Sequence, residues 1–179
     1  MNDGLIPNRY AKALYKLAVE RGDDATVYAR MKQLDSSYAA EPQLKKAVAN
    51  PFLDAADKTR LLLSAAGAGN DESTARFVPL VIKNNRVGFM RAIALSYIKL
   101  YRERNDIARV EVVTATAVAS DVIDHIVDVV KNQLNGKTIE LTQRVDPALI
   151  GGFTVNVDSM VLDASVKNQL EKLRLKLLS

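Results

Sequence analysis

Over roughly the first hundred residues, apolar positions return every three or four residues, the repeat of helices with one side in a core. Ile6, Tyr10, Ala13, Leu14, Leu17 and Ala18 fall at that spacing, between Pro7 near the start and Gly22 just past the end. A second stripe, Ala11, Tyr15 and Val19, lies beside the first, so this helix is covered on more than one side by core or by a partner. Asp23 and Asp24 suit the start of a second helix, which carries Val27, Met31, Leu34 and Tyr38. Pro42 opens a short third one through Leu44, Ala47 and Val48, before Asn50-Pro51 forces an extended residue and a turn. Asp54 can cap a fourth, with Leu61, Leu62 and Leu63, ending at Gly67-Ala68-Gly69. Asp71 and Glu72 begin a fifth, running through Phe77, Leu80, Val81 and Ile82 to Asn84-Asn85. Pro79 lies inside it, which predicts a kink or a late start, since an interior proline costs roughly 3 kcal/mol. The sixth runs from about Arg86 to Arg104, with Phe89, Ile93, Tyr97 and Leu100 toward the core.

Beyond Asp106 the period shortens to two. Residues 108–115, rich in valine, and 137–143, through Ile139 and Leu141, alternate as strands do. Phe153 to Val157 reads as a third strand and Met160 to Leu162 as a fourth. Between the first two, Ser120 can cap a helix with Ile123, Ile126, Val127, Val130 and Leu134 on one face, ended by Gly136. A last helix carries Val166, Leu170, Leu173 and Leu177. The pattern is an α+β fold, mostly α: helices over residues 1–105, then a small α/β part over 106–179.

Composition removes several chemistries. Without cysteine there is no disulfide framework, no thiolate metal site and no cysteine nucleophile, and a single histidine, His125, leaves little for zinc or triad chemistry. Met1-Asn2-Asp3-Gly4 is unlike a secretory signal, and no run approaches ~18 apolar residues, so a reducing compartment and no direct membrane insertion are expected. The net charge of +4 is uneven, with 17 basic against 11 acidic residues in 1–105 and 8 against 10 in the remainder. Seven of the bases fall between Arg76 and Arg104, a stretch that suits nucleic acid, anionic lipid or an acidic protein surface, although a solvated helix face is the plainer reading. Phe89, Tyr97 and Tyr101 follow the apolar side there, against a base-stacking platform.

The search for a reactive site finds little. Gly151-Gly152 lacks the flanking pattern of a phosphate loop and suits a bulge or a close backbone approach. Asp121, Asp124 and Asp128 share one helix side but lack the interleaved oxygen ligands of a calcium loop. His125 reads as a surface residue. No cofactor and no catalytic residue are expected, and a binding protein is favoured over an enzyme. Lys167, Glu171, Lys172, Arg174 and Lys176 read as a solvated face or as the rim of a helix–helix interface whose seam is Leu170, Leu173 and Leu177.

Four segments in order carry a resemblance: residues 9–14 (Arg-Tyr-Ala-Lys-Ala-Leu), Asn50-Pro51-Phe52, Asn84-Asn85-Arg86, and residues 145–155 with Asp146, Gly151, Gly152 and Phe153. Asp163-Ala164-Ser165-Val166 and Gln169-Leu170 extend the last. Together they resemble the delta-subunit family of bacterial F-type ATP synthases, whose mitochondrial relative is the oligomycin-sensitivity-conferring protein. Pro79 and Asp158 depart from the family pattern. The resemblance implies an N-terminal six-helix bundle and a small C-terminal α/β domain, present as one copy in a non-catalytic stator at the cytoplasmic face of the bacterial membrane. It implies that a groove between the first and fifth helices takes the N-terminal helix of an alpha subunit, with Tyr10, Ala11, Leu14 and Tyr15 on one wall and Phe77, Leu80 and Val81 on the other; about half of these are expected to reach the partner. It implies that the C-terminal part holds the b subunits of the peripheral stalk, for which Leu170, Leu173, Leu177, Lys172 and Lys176 are the candidates.

Overall fold

A computed structural model describes residues 4–69, 72–118, 120–134, 137–157 and 160–178. Asp71, Gly136 and Asp158, and the side chains of Ser120, Asp121, Asp124, Lys176 and Leu177, lie outside the described residues. The chain divides into two compact units, Met1–Arg104 and Asn105–Ser179. Among the described residues it is mostly helical, with eight α-helices and one four-stranded mixed sheet.

The N-terminal unit contains α1 (Leu5–Arg21), α2 (Asp24–Ala40), α3 (Pro42–Ala49), α4 (Ala55–Ala66), α5 (Ser73–Lys83) and α6 (Met90–Arg104). Two ends show how local chemistry sets the boundaries. Gly22 closes α1 in the left-handed region at φ 71°, returning its N–H toward Ala18 and Val19. Asp54 caps α4 by accepting from the Asp57 N–H at 2.7 Å. Both α1 and α2 pack on α6, and the shared core holds Leu14, Met31, Leu34, Leu62, Val81 and Tyr97, all fully buried. Burying a side chain such as Leu14 contributes about 2 kcal/mol.

Three expectations are corrected. The fifth helix does not start late at Pro79: α5 runs from Ser73 to Lys83 with Pro79 inside it, on the exposed side. The sixth helix begins at Met90 after a short 3-10 turn over Val87–Phe89, and its core face is Met90, Ile93, Ala94, Tyr97, Ile98 and Tyr101, with Phe89 and Leu100 only half-buried. In α1 the sealed stripe is Pro7, Ala11, Leu14 and Ala18, so Ile6, Tyr10 and Ala13 form the outer one.

In the C-terminal unit, β1 (Ile107–Thr114), α7 (Ser120–Gln133) and β2 (Thr138–Val145) form a parallel βαβ unit. Next come β3 (Gly152–Val157), β4 (Met160–Ser165) and α8 (Val166–Leu178). The sheet order is β2-β1-β3-β4, with β3 antiparallel to both neighbours. One sheet face carries Val110, Val112, Val155 and Val157 against Ile123, Ile126 and Val130 of α7. The other is polar, where the Asn156 amide donates to Glu111 at 3.1 Å and Arg144 pairs with the same carboxylate at 3.5 Å.

Residues 145–155 turn the chain from β2 into β3. The Asp146 carboxylate accepts from the Ala148 N–H at 3.0 Å, and the Asp146 N–H donates to the Thr114 carbonyl at 2.8 Å. Gly152 is held at φ 75°, and a Cβ there would run into the Ala164 carbonyl oxygen of β4. The glycine pair is thus a close backbone approach rather than a phosphate site. Phe153 packs at the margin of the α7–sheet core.

Candidate functional site: an open groove between two helices

Near the start of α1, the Tyr10 ring meets Phe77 of α5 edge-on, with centroids 6.1 Å apart. Just past the end of α1, the Asp23 carboxylate accepts from Ser73, the first residue of α5. The two helices therefore lie side by side and antiparallel. They close on one another at the Ser73 end and leave a cleft of about 370 Å³ at the other. Ile6, Arg9, Tyr10 and Ala13 line it from α1, and Phe77, Leu80, Asn84 and Arg86 from α5 and the turn after it.

Leu80 is the residue that water would not have chosen. It is 49% exposed on the cleft wall, beside half-buried Ile6 and Tyr10. Ala11, Leu14 and Val81 are not on the wall, because the chain's own core seals them, and Phe77 lines it while only 3% exposed. Tyr15 points away from α5 and joins the rings of Tyr97 and Tyr101 of α6, at 6.1 and 6.4 Å. Of the seven residues expected there, Tyr10, Phe77 and Leu80 come together at the cleft. Ile6, Arg9, Ala13, Asn84 and Arg86 join them, although the apolar spacing of α1 puts Ile6 and Ala13 on the inward face. Arg9 and Arg86 are exposed, and neither makes an ion pair among the described residues.

Two charged contacts hold the closed end. Arg30 of α2 binds Glu72 in a two-pronged pair, Nε to Oε2 at 2.9 Å and NH2 to Oε1 at 2.8 Å. The Arg30 hydrogen bonds hold the Glu72 carboxyl below its ordinary range against the opposing pull of burial, with help from the Gly69 backbone. The Asp23 carboxylate makes the second contact, to the Ser73 N–H and hydroxyl, both at 2.8 Å.

The C-terminal unit presents a different surface. In α8, Leu170, Leu173 and Leu175 are 53%, 53% and 64% exposed, and Lys172 is exposed with them. Met160, Val161 and Leu162 of β4 are also uncovered. A separate apolar cleft of about 460 Å³ runs between α7 and the sheet, lined by Val122, His125, Val129, Phe153 and Leu162 among others. His125 is exposed, as its place off the apolar stripe predicts, and the cleft leaves no mark in that stripe because Val122 and Val129 lie off it.

The basic stretch of α6 offers no stacking platform, since Tyr97 and Tyr101 are buried. Among the described residues, no group of three or more His, Asp or Glu side chains gathers as a metal site, and no helix is long and apolar enough to cross a membrane.

Comparison with known proteins gives a consistent result. A family model described as ATP synthase delta (OSCP) subunit matches residues 6–177. The ATP synthase subunit delta of Parabacteroides distasonis is 39% identical over 99% of this chain and 98% of its own length. That of a Caulobacter species is 34% identical, over 94% and 92%. Among solved structures, a chain in the Toxoplasma gondii mitochondrial ATP synthase hexamer shares the fold with a TM-score of 0.71, covering 97% of each chain at 19% identity.

Proposed function

The chain belongs to the ATP synthase delta (OSCP) subunit family, a peripheral-stalk component of the F-type enzyme and a structural rather than catalytic one, and from that footing we propose how its two units grip their neighbours. The N-terminal unit acts as a six-helix bundle whose α1–α5 groove takes the amphipathic N-terminal helix of an alpha subunit. The C-terminal unit holds the end of the b subunits through α8. One copy then joins the catalytic head to the stalk on the cytoplasmic face of the bacterial membrane, keeping the head still while the rotor turns.

The observation that carries the groove is Leu80, half-exposed on an apolar wall that the chain itself leaves open. A helix laid there would bury Leu80, Ile6 and the face of Tyr10, which is how helix-in-groove complexes gain most of their energy. Arg9 and Arg86 at the rim suit a ligand helix with an acidic side chain beside its apolar stripe. For the stalk, the support is the exposed Leu170 and Leu173, with Lys172 between them. A stator contact must outlast many rotor steps, so slow dissociation matters most, and nanomolar binding corresponds to about −12 kcal/mol.

The test is calorimetry of the full chain with a peptide of about the first 20 residues of the cognate alpha subunit. Saturable binding, weakened by about 3 kcal/mol by Leu80→Glu, is expected. A titration without saturable heat sinks the groove reading.

A further inference from the structure

We propose that Asp23 is the positioning residue of the α1–α5 groove: its carboxylate pins the first turn of α5 to the end of α1 and thereby sets the groove's width at the opposite end of the pair. This deepens the function proposed above and rests on it for one arm of its test only.

Asp23 occupies the N-cap position of α2, where a carboxylate ordinarily accepts from its own helix, yet it makes no such bond. It turns instead to α5, with Oδ2 accepting from the Ser73 N–H and Oδ1 from the Ser73 hydroxyl, each at 2.8 Å. The Ser73 N–H is one of the donors that a helix start leaves unsatisfied, and a negative charge there opposes the positive end of the helix dipole. Ser73 is fully buried, so its N–H and hydroxyl rely on this carboxylate for their hydrogen bonds. The neighbouring Thr74 hydroxyl is itself buried without a partner, which leaves this turn no spare polar contact. Arg30 and Glu72 tie the same turn to α2.

Asp23 also belongs to the end of α1, because its N–H donates to the Ala18 carbonyl at 3.0 Å through the Gly22 turn. One residue thus joins the finish of α1 to the beginning of α5. From Ser73, α5 runs about 10 Å to Leu80. A tilt of about 10° at the pin would move Leu80 by about 2 Å at the mouth of the cleft, a large step for a surface that must fit a helix. Across the cleft, only the edge contact of Tyr10 with Phe77 opposes that tilt among the aromatic pairs described.

The chain has no cysteine, so two introduced ones carry spin labels without ambiguity. Lys12→Cys on α1 and Lys83→Cys on α5 are exposed and lie outside the cleft lining. In the full-length reference chain their distance distribution is expected to be narrow. Asp23→Ala should broaden or shift it, Ser73→Ala should do so less, and Ser73→Thr, which keeps both donors, should restore it. With the alpha-subunit peptide, Asp23→Ala should weaken binding about tenfold. Asp35→Ala, which breaks the 2.8 Å pair with Arg91, is the control and should leave both readings unchanged. If Asp23→Ala does not fold, Asp23→Asn, which keeps an acceptor but loses the charge, is measured in its place. An unchanged distance distribution overturns the proposal, as does equal broadening in the control, or broadening with no loss of affinity. A reference chain that ignores the peptide sinks the occupant of the groove, while the distances still decide the role of Asp23.

Discussion

In the N-terminal unit the apolar residues facing the groove stand on a sealed core, whereas in the C-terminal unit the leucines of α8 stand largely clear of theirs. Leu80 is flanked by Phe77 and Val81, which are almost wholly buried, and its helix is tied down at one end by two charged contacts. Leu170 and Leu173 ride on a helix whose packing within its unit is confined mainly to β4. The first arrangement is already built, so a helix docked there, as proposed above, would face little ordering cost. The second leaves its apolar side chains in water.

The same kind of substitution should therefore act differently in the two units. Leu14→Glu buries a charge at a site with no exposure, and should destabilise the N-terminal unit by about 4 kcal/mol or more. Thermal unfolding followed by circular dichroism would show it; a cooperative transition near the reference temperature would mean that the core is not built around α1. Leu80→Glu should leave that transition nearly in place and weaken alpha-peptide binding by about 3 kcal/mol, the size of an interface anchor. Leu170→Glu with Leu173→Glu should also spare the fold and weaken b-subunit capture by about 2 kcal/mol, read by dissociation rate. Equal destabilisation by the Leu14 and Leu170 changes would erase the contrast between the units.

Gly152→Ala probes the C-terminal unit where it is tightly built. A left-handed φ of 75° and the nearby Ala164 carbonyl both oppose a side chain, so about 2 kcal/mol or more should be lost from the β3–β4 pairing. Hydrogen exchange confined to 152–165 would report it. Protection unchanged there would show that the turn relaxes freely.

These contrasts follow what the sequence could and could not disclose. The stripe Val27, Met31, Leu34, Tyr38 of α2 is single, and all four are buried as the spacing predicts. In α1 two apolar stripes lie side by side, and periodicity alone does not say which faces inward; the inner one proved to be Ala11, Leu14 and Ala18. That ambiguity put Ala11 and Leu14 on the groove wall and left Ile6 and Ala13 off it. For α8 the apolar spacing was plain, yet spacing does not show whether the leucines find a cover. The pin at Asp23 was illegible for another reason. Its partner Ser73 is 50 residues away, and Asp23 sits where a local helix cap explains it fully. Long-range polar contacts leave no periodic trace, so they emerge only once the helices are placed.

The smallest effect expected is one of pH, and it separates the units again. Glu72 is held below its ordinary value of 4.5, chiefly by the hydrogen bonds from Arg30. A carboxylate depressed on folding contributes stability that is fully present above its unfolded value and is lost as pH falls through the lowered folded one. The N-terminal unit should thus be level near neutrality and lose about 1 kcal/mol on acidification below that range, beyond what a chain without the pair loses. Arg30→Gln should start lower at neutral pH and fall less steeply in acid, with the two curves converging once Glu72 is protonated. In the C-terminal unit the lowered carboxylate is Asp163, held mainly by bonds from Ser165, but it stands in water, which solvates it whenever those bonds open. Asp163→Asn should accordingly leave the acid limb of that unit almost as it was. Parallel curves for the Arg30→Gln and reference chains would mean that the Arg30–Glu72 pair adds nothing to the closed end of the groove.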